Sequence, residues 1–118
     1  MEFDDSMASS LVGRYENCPI DRKGPFPARI LLSKTDTMDL SVKYGVLPIG
    51  QEIQIHNHQE HAQFEFYPSG RATLFLEGVG EKDIQPGSYM YAPKGVKHGI
   101  HSVREPLEIV SVFVPPLF

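Results

Sequence analysis

Residues Gly50 to Gly70 read G-Q-E-I-Q-I-H-N-H-Q-E-H-A-Q-F-E-F-Y-P-S-G, with His56 and His58 separated by one residue. On an extended strand, side chains two residues apart leave the same face, so both imidazoles are expected to point into one space. Imidazole nitrogens are common ligands of divalent transition metals. This stretch therefore predicts a β-strand that carries part of a metal site.

A second strand and a third histidine extend the pattern. After a predicted turn, strand alternation begins at Gln63 and places Gln63, Glu65 and Tyr67 on one face. Later in the chain, Gly87 opens a block that ends in P-K-G-V-K-H and supplies His98. The two blocks have the spacings G-x5-H-x-H-x4-Q-x6-G and G-x5-P-x-G-x2-H-x3-S.

These blocks resemble the two signature motifs of the cupin superfamily, and two ordered motifs are far more specific than one. Two residues depart from the usual pattern: Gln63 stands where most metal-binding cupins carry Glu, and Ser102 stands where many carry Asn. The resemblance implies a single-domain cupin, a double-stranded β-helix or jelly-roll barrel. It also implies one divalent metal ion, held by His56, His58, Gln63 and His98.

The strand pattern supports an all-β fold without the motifs. Eight or more short apolar runs are separated by Gly- and Pro-rich turns, and no window has a sustained helical period. We expect residues 1–10 to form a flexible arm and residues 11–118 to form one β-barrel or two-sheet domain. In the run from Met38 to Tyr44, the alternation predicts that Val42 and Tyr44 face the core.

Composition excludes several function classes. The 118 residues include 11 Lys plus Arg against 15 Asp plus Glu, which offers no basic stripe for nucleic acid. Cys18 is the single cysteine, so an internal disulfide is excluded and a reducing compartment is favoured. No apolar run approaches membrane-spanning length. We therefore expect a cytoplasmic protein that binds neither nucleic acid nor membranes.

The predicted ligand set favours particular chemistry. Three imidazoles and an amide are all neutral, so a divalent ion would keep its full charge, favouring an anionic ligand or a developing enolate. The ion could be Zn, Mn, Ni or Fe, since these ligands do not select among them. His61 falls in a predicted turn and His101 has the opposite parity to His98, so neither is expected to be a ligand.

Three residues are candidates for catalysis. Glu65, one pleat repeat beyond Gln63, could act as a general acid or base, or could form an ion pair with Arg29 or Arg71. Tyr67 could present a hydroxyl to a substrate or pack in the core. Arg29 could clamp a substrate carboxylate or lie on the surface.

Within the superfamily, the Gln ligand at this spacing resembles the small KdgF-type cupins, which linearise unsaturated uronates. This resemblance implies a metal-dependent isomerase or lyase that acts on a small carboxylate or sugar acid. Ser111 departs from it, because such enzymes are expected to carry a catalytic Asp there. A cupin dioxygenase that uses Fe and a non-catalytic small-molecule-binding cupin are the alternatives.

The opposite face of the motif strands predicts self-association. Ile53, Ile55, Phe64 and Phe66 are expected to project outward, where large apolar groups are unfavourable in water. A homodimer through this face is the expected assembly.

Overall fold

The computed structural model describes residues 11–118, and the arm expected at residues 1–10 lies outside this range. None of the helical segments in this range has the length and hydrophobicity that a membrane-spanning helix requires. A 3-10 turn, η1, precedes ten strands. Their bounds are η1 Tyr15–Asn17, β1 Ile20–Asp21, β2 Ala28–Leu32, β3 Ser41–Leu47, β4 Ile53–His56, β5 Ala62–Tyr67, β6 Arg71–Leu76, β7 Gly80–Ile84, β8 Ser88–Ala92, β9 His98–Glu105 and β10 Leu107–Val114.

The strands form two antiparallel sheets, which confirms the predicted all-β jelly-roll fold. One sheet has six strands in the order β1-β2-β3-β10-β5-β8, and the other has four in the order β4-β9-β6-β7. The buried cluster contains residues of both sheets, so the core lies between them. From the six-stranded sheet it includes Leu47, Tyr67 and Ile109, and from the four-stranded sheet Leu74 and Ile100.

The face of β3 that points toward the core is opposite to the predicted one. Ser41, Gly45 and Leu47 are buried, whereas Val42 and Tyr44 lie on the outer side. The prediction that the apolar residues of this run face inward was therefore wrong. Because the side-chain period of a strand is two, an error of one residue reverses every orientation along it.

The cause is a second apolar layer outside β3. The ring of Tyr15, in the N-terminal segment, lies 4.9 Å from the ring of Tyr44. Val42 is only partly exposed on the same outer side. When a strand is covered on both faces, hydrophobic alternation does not indicate which face points to the core. As a consequence Lys43, which the sequence pattern placed outside, shares the inward side with Ser41 and Gly45.

The N-terminal segment reaches the interior at Gly45, two residues after Lys43, where it approaches the backbone of β3 closely. A Cβ atom at Gly45 would lie 2.4 Å from the ring of Phe26, so this ring can pack only against a residue without a side chain. Phe26 is itself buried. The absence of a side chain at Gly45 therefore allows Phe26 to cover one side of the space between the sheets.

Ser102 adopts a left-handed backbone conformation with a φ of 54°. The register between β6 and β9 shifts at this point, between the pairs Arg71–Glu105 and Thr73–His101. Asn is several-fold enriched in this conformation among residues other than Gly. The bulge gives a physical reason for the Asn that many cupins carry at this position.

Strand β4 also differs from its predicted alternation. Its pairing with β9 is irregular between Ile53 and His56, so both of these residues turn toward the interior. Ile55 is 56% exposed, but on the four-stranded sheet. Ile53 and Ile55 therefore do not share one outer face with Phe64 and Phe66, which lie on the six-stranded sheet.

The outer face of the six-stranded sheet carries an aromatic surface formed by Phe64, Phe66, Tyr89 and Tyr91. Phe64 pairs with Tyr91 and Phe66 with Tyr89 across β5 and β8, and all four are exposed. The rings of Phe64 and Tyr89 are stacked, with centroids 6.1 Å apart. Among the strands of residues 11–118, β8 is also the edge of its sheet, and an edge strand presents backbone groups that can pair with another chain.

We expect this aromatic surface to form the homodimer interface, because its burial would remove four large rings from water. Light scattering should give twice the chain mass of 13.2 kDa for the wild type. Phe66→Lys should shift the mass to that of one chain. Ile55→Lys, an exposed position on the other sheet, should leave the dimer intact. A wild-type monomer at micromolar concentration would contradict the prediction.

Candidate metal centre

Three histidines from three segments meet between the sheets. His56 is the last residue of β4, His58 follows it in the loop, and His98 begins β9 directly opposite His56. One nitrogen from each ring can be chosen so that all three lie within 4.8 Å of one another. The ring centroids of His56 and His98 are 4.5 Å apart, and those of His56 and His58 are 4.9 Å apart. The histidine cluster predicted from the two motifs is therefore present.

Backbone carbonyl groups determine which nitrogens are free. His56 Nδ1 lies 2.7 Å from the Gln54 carbonyl oxygen, and His98 Nδ1 lies 3.0 Å from that of Val96. A carbonyl oxygen can only accept, so each Nδ1 donates its proton. Nε2 of both rings then carries a lone pair, as a metal ligand requires.

His58 and His98 are also in the charge state that metal binding needs. Burial, followed by the nearby His56 and His98, lowers the pKa of His58 to about 4. Burial is also the main cause that lowers the pKa of His98. Both rings are therefore neutral at neutral pH, and no proton competes with a metal ion for their lone pairs.

Gln63 completes the arrangement with an oxygen atom. Its Nε2 donates to Glu65 Oε2 at 2.8 Å, and because a carboxylate only accepts, this bond fixes the orientation of the amide. Gln63 Oε1 then faces His98 Nε2 at 2.8 Å. With His98 neutral and its proton on Nδ1, two lone pairs face each other without a proton between them.

This contact fits a bound cation. Two atoms that bind one ion in adjacent positions lie roughly 3 Å apart, given ligand distances of about 2.0–2.1 Å for Zn–N bonds. A divalent ion would convert the repulsion between Gln63 Oε1 and His98 Nε2 into two attractive interactions. The residues present therefore fit a metal held by His56, His58, His98 and Gln63.

Glu65 is the centre of the buried polar network behind the cluster. Its Oε2 accepts from Gln63 Nε2 and from Ser111 Oγ, each at 2.8 Å, and its Oε1 accepts from Tyr67 Oη at 2.7 Å. Glu65 and Ser111 are directly opposite each other on β5 and β10. The four residues are almost completely buried. The pairing with Arg29 or Arg71 that the sequence left open is not formed.

A cavity of about 360 Å³ joins the histidines to this network. Glu65, Ser111 and Gln63 line it together with the three histidines. Lys43 also lines it, and sequence reasoning missed this residue because the orientation of β3 was reversed. Lys43 is the cross-strand partner of Ser111, so it would have been identified once the inward side of β10 was known.

The structure does not bring Arg29 and Tyr67 to the cavity wall. Arg29 Nη1 donates to the Cys18 carbonyl oxygen at 3.0 Å, and Arg29 is absent from the cavity lining. Tyr67 is fully buried and reaches the cavity only through its hydrogen bond to Glu65. Of the three catalytic candidates, Glu65 alone lines the cavity.

The remaining histidines lie away from the cluster. His61 Nδ1 contacts the Pro115 carbonyl oxygen at 2.8 Å. His101 Nε2 lies 2.8 Å from Glu81 Oε1 on the outside of the four-stranded sheet, as its parity predicts. Among the described residues, His56, His58 and His98 are thus the histidines that converge.

Comparison with protein families finds a match to a cupin domain. The cupin domain model matches residues 44–113, a range that contains both histidine blocks. An uncharacterized protein of Streptomyces coelicolor is 39% identical over 62 residues, which are 51% of this chain and 58% of that protein. The chain therefore matches little more than half the length of that relative.

Solved structures show the same fold. KdgF from Halomonas sp. has a TM-score of 0.73 at 22% identity, and the alignment covers 85% of this chain and 90% of that one. Ectoine synthase from P. lautus has a TM-score of 0.79 at 23% identity, with 90% and 78% covered. At these identities the similarity establishes the architecture.

We expect the purified protein to contain about one divalent metal ion per chain, measurable by elemental analysis. His58→Ala should lower the metal affinity by at least roughly tenfold, since losing even an outer partner of a ligand costs 10- to 100-fold, and the purified variant should therefore contain clearly less metal. His101→Ala is the matched control and should retain the metal. Circular dichroism should show both variants folded. Full metal occupancy in His58→Ala would contradict the assignment.

Proposed function

The chain belongs to the cupin domain family, and we propose that it is a metal-dependent isomerase or lyase that acts on a small oxygen-rich carboxylate such as an unsaturated uronate. The observation that carries the proposal is the buried carboxylate of Glu65 in the same cavity as the three-histidine cluster. Proton-transfer chemistry needs a site for an oxyanion next to a group that exchanges protons. The similarity to KdgF supports the choice of substrate class.

His56, His58, His98 and Gln63 are the residues that would hold the metal. When bound, a divalent ion would supply a Lewis acid for a substrate oxygen, with its charge uncancelled by these four neutral ligands. The chain orients these ligands from behind: carbonyl groups fix two imidazoles, and Glu65 fixes the amide of Gln63. Such positioning is required for a preorganised site.

Glu65 has one atom with capacity to exchange a proton. Each carboxylate oxygen can accept two hydrogen bonds. Oε2 already accepts two, from Gln63 and Ser111, whereas Oε1 accepts one, from Tyr67. We assign the proton transfer to Oε1. Tyr67 touches the carboxylate from the core, so it is a positioning residue in this scheme.

Ser111 departs from the KdgF-type pattern, and the residue directly opposite it carries a carboxylate. The KdgF-type pattern predicts an Asp on the last strand at this position, and the carboxylate is found instead at Glu65, its direct cross-strand partner. The Ser111 hydroxyl donates to that carboxylate at 2.8 Å. Compared with the KdgF-type pattern, the carboxylate of this chain therefore lies one strand away, in the same row of the inner surface.

A non-catalytic small-molecule-binding cupin is the second candidate. The observation that favours it is that Glu65 already accepts three hydrogen bonds from protein groups. In that case Glu65 would serve only to orient Gln63. Turnover measurements on Glu65 variants separate the two functions.

We expect turnover of at least one member of a panel of unsaturated uronates and 2-hydroxy or 2-keto acids, and we expect it to require metal. Glu65→Gln should reduce kcat by roughly 10²- to 10⁴-fold, the usual contribution of a general acid or base. Its metal content should stay unchanged, because the substituted amide can still bond to Gln63. Glu105→Gln, an exposed carboxylate on β9, is the matched control and should keep full activity.

The double variant Glu65→Gln/Ser111→Asp tests the assignment more sharply. It returns a carboxylate to the opposite strand and should recover part of the activity lost in Glu65→Gln. Metal-dependent turnover that survives Glu65→Gln would remove Glu65 from the mechanism. Turnover that consumes oxygen would place the protein among cupin dioxygenases, and saturable binding without turnover would favour the binding module.

A further inference from the structure

We infer that Lys43 is the specificity-determining residue of the cavity and receives the carboxylate of the ligand. This inference deepens the proposed function and rests on it for the class of ligand. The observation is an ammonium group on the inner surface of β3, in the same row as the network that supports the metal ligands.

The register of the six-stranded sheet places Lys43 in line with Glu65. Lys43 is the direct partner of Ser111, and Ser111 is in turn the direct partner of Glu65. The three residues form a row across β3, β10 and β5, and all three line the cavity. Adjacent strands are about 4.8 Å apart, so the backbones of Lys43 and Glu65 are separated by roughly 10 Å.

The charge of Lys43 has no protein carboxylate to neutralise it. Among the described residues, no Asp or Glu oxygen lies within 4.0 Å of its ammonium group. The ammonium group lies over the ring of Phe113, with Nζ 5.6 Å from the ring centroid. An ammonium over a ring remains available to an anion, because the ring occupies only one side of it.

The two carboxylates of the cavity wall are engaged elsewhere. Glu65 accepts from Gln63, Tyr67 and Ser111. Glu52 accepts from the side chain of Gln54. Within the described lining, Lys43 is the single Lys or Arg, so it is the cation that an entering acid would meet.

Lys43 is close enough to the histidines for one small molecule to reach both. Phe113 links the two groups, since its ring is 5.5 Å from that of His58 and 5.6 Å from the Lys43 ammonium. A ligand with a carboxylate at one end and hydroxyl or carbonyl oxygens at the other would match both ends of this space.

The cavity volume of about 360 Å³ limits the ligand to a small molecule. It is at the lower end of the range of roughly 300–1,000 Å³ that is typical of ligand sites. We therefore assign as ligand a monocarboxylate of about the size of one sugar. Neutral sugars and carboxylate esters should bind weakly, because they leave the Lys43 charge desolvated and unpaired.

The test is calorimetric titration of the 118-residue chain with D-galacturonate and with its methyl ester, as purified and again after removal of metal by a chelator. In both states the wild type should bind the acid at least roughly tenfold more tightly than the ester, the usual effect of one charge-assisted hydrogen bond. Lys43→Met, similar in length but neutral, should lose this preference. Lys43→Arg should retain it, and the exposed Lys82→Met is the matched control.

Equal affinity for acid and ester in the wild type, an unchanged preference in Lys43→Met, or no saturable binding of galacturonate would each overturn the inference. The failure of the proposed function gives a different result. If the preference for the acid depends on Lys43 but no acid is turned over, Lys43 does bind the ligand carboxylate and the proposed enzymatic activity is wrong. If Lys43→Met shows metal-dependent turnover with an unaltered KM, the proposed enzymatic activity is supported and the role of Lys43 in binding the carboxylate is wrong.

Discussion

The site depends on a contact between two hydrogen-bond acceptors, Gln63 Oε1 and His98 Nε2, which face each other at 2.8 Å. Neither atom can turn away without losing a partner, since the Val96 carbonyl group fixes the imidazole and Glu65 fixes the amide. The unfavourable energy of such a contact is largest where water is excluded. The fold therefore holds two lone pairs close together, and a cation between them would convert their repulsion into two attractive interactions.

The network that maintains this contact explains why so many polar groups are buried in a small barrel. Among the described residues, every buried side-chain nitrogen or oxygen outside this facing pair has a hydrogen-bond partner. Removing a single member, such as Ser111 or Tyr67, would leave the Glu65 carboxylate with fewer donors in a buried place, at a cost of about 1–3 kcal/mol or more for a charged group. Stability and orientation of the metal ligands thus depend on the same carboxylate.

The motif residues could be predicted from the sequence because strand parity and family spacing agree on them. His56, His58 and His98 converge as the spacing indicates, and Gln63, Glu65 and Tyr67 share one buried face. Outside the motifs, alternation was misleading wherever a second layer or an irregular pair changed the environment. The Tyr15 ring over Tyr44 concealed the inward side of β3 and with it Lys43, and the irregular pairing of β4 turned Ile53 inward. The role of Arg29 could not be predicted, because its partner is a main-chain carbonyl group, that of Cys18.

The most direct test of the metal assignment is a crystal structure of the metal-loaded protein in which anomalous scattering locates the ion. We expect an anomalous peak within bonding distance of Nε2 of His56, Nε2 of His98, a ring nitrogen of His58 and Oε1 of Gln63, with the Gln63 amide still bonded to Glu65. An ion bound elsewhere would contradict it. So would an ion held by the histidines alone, with the Gln63 oxygen turned away.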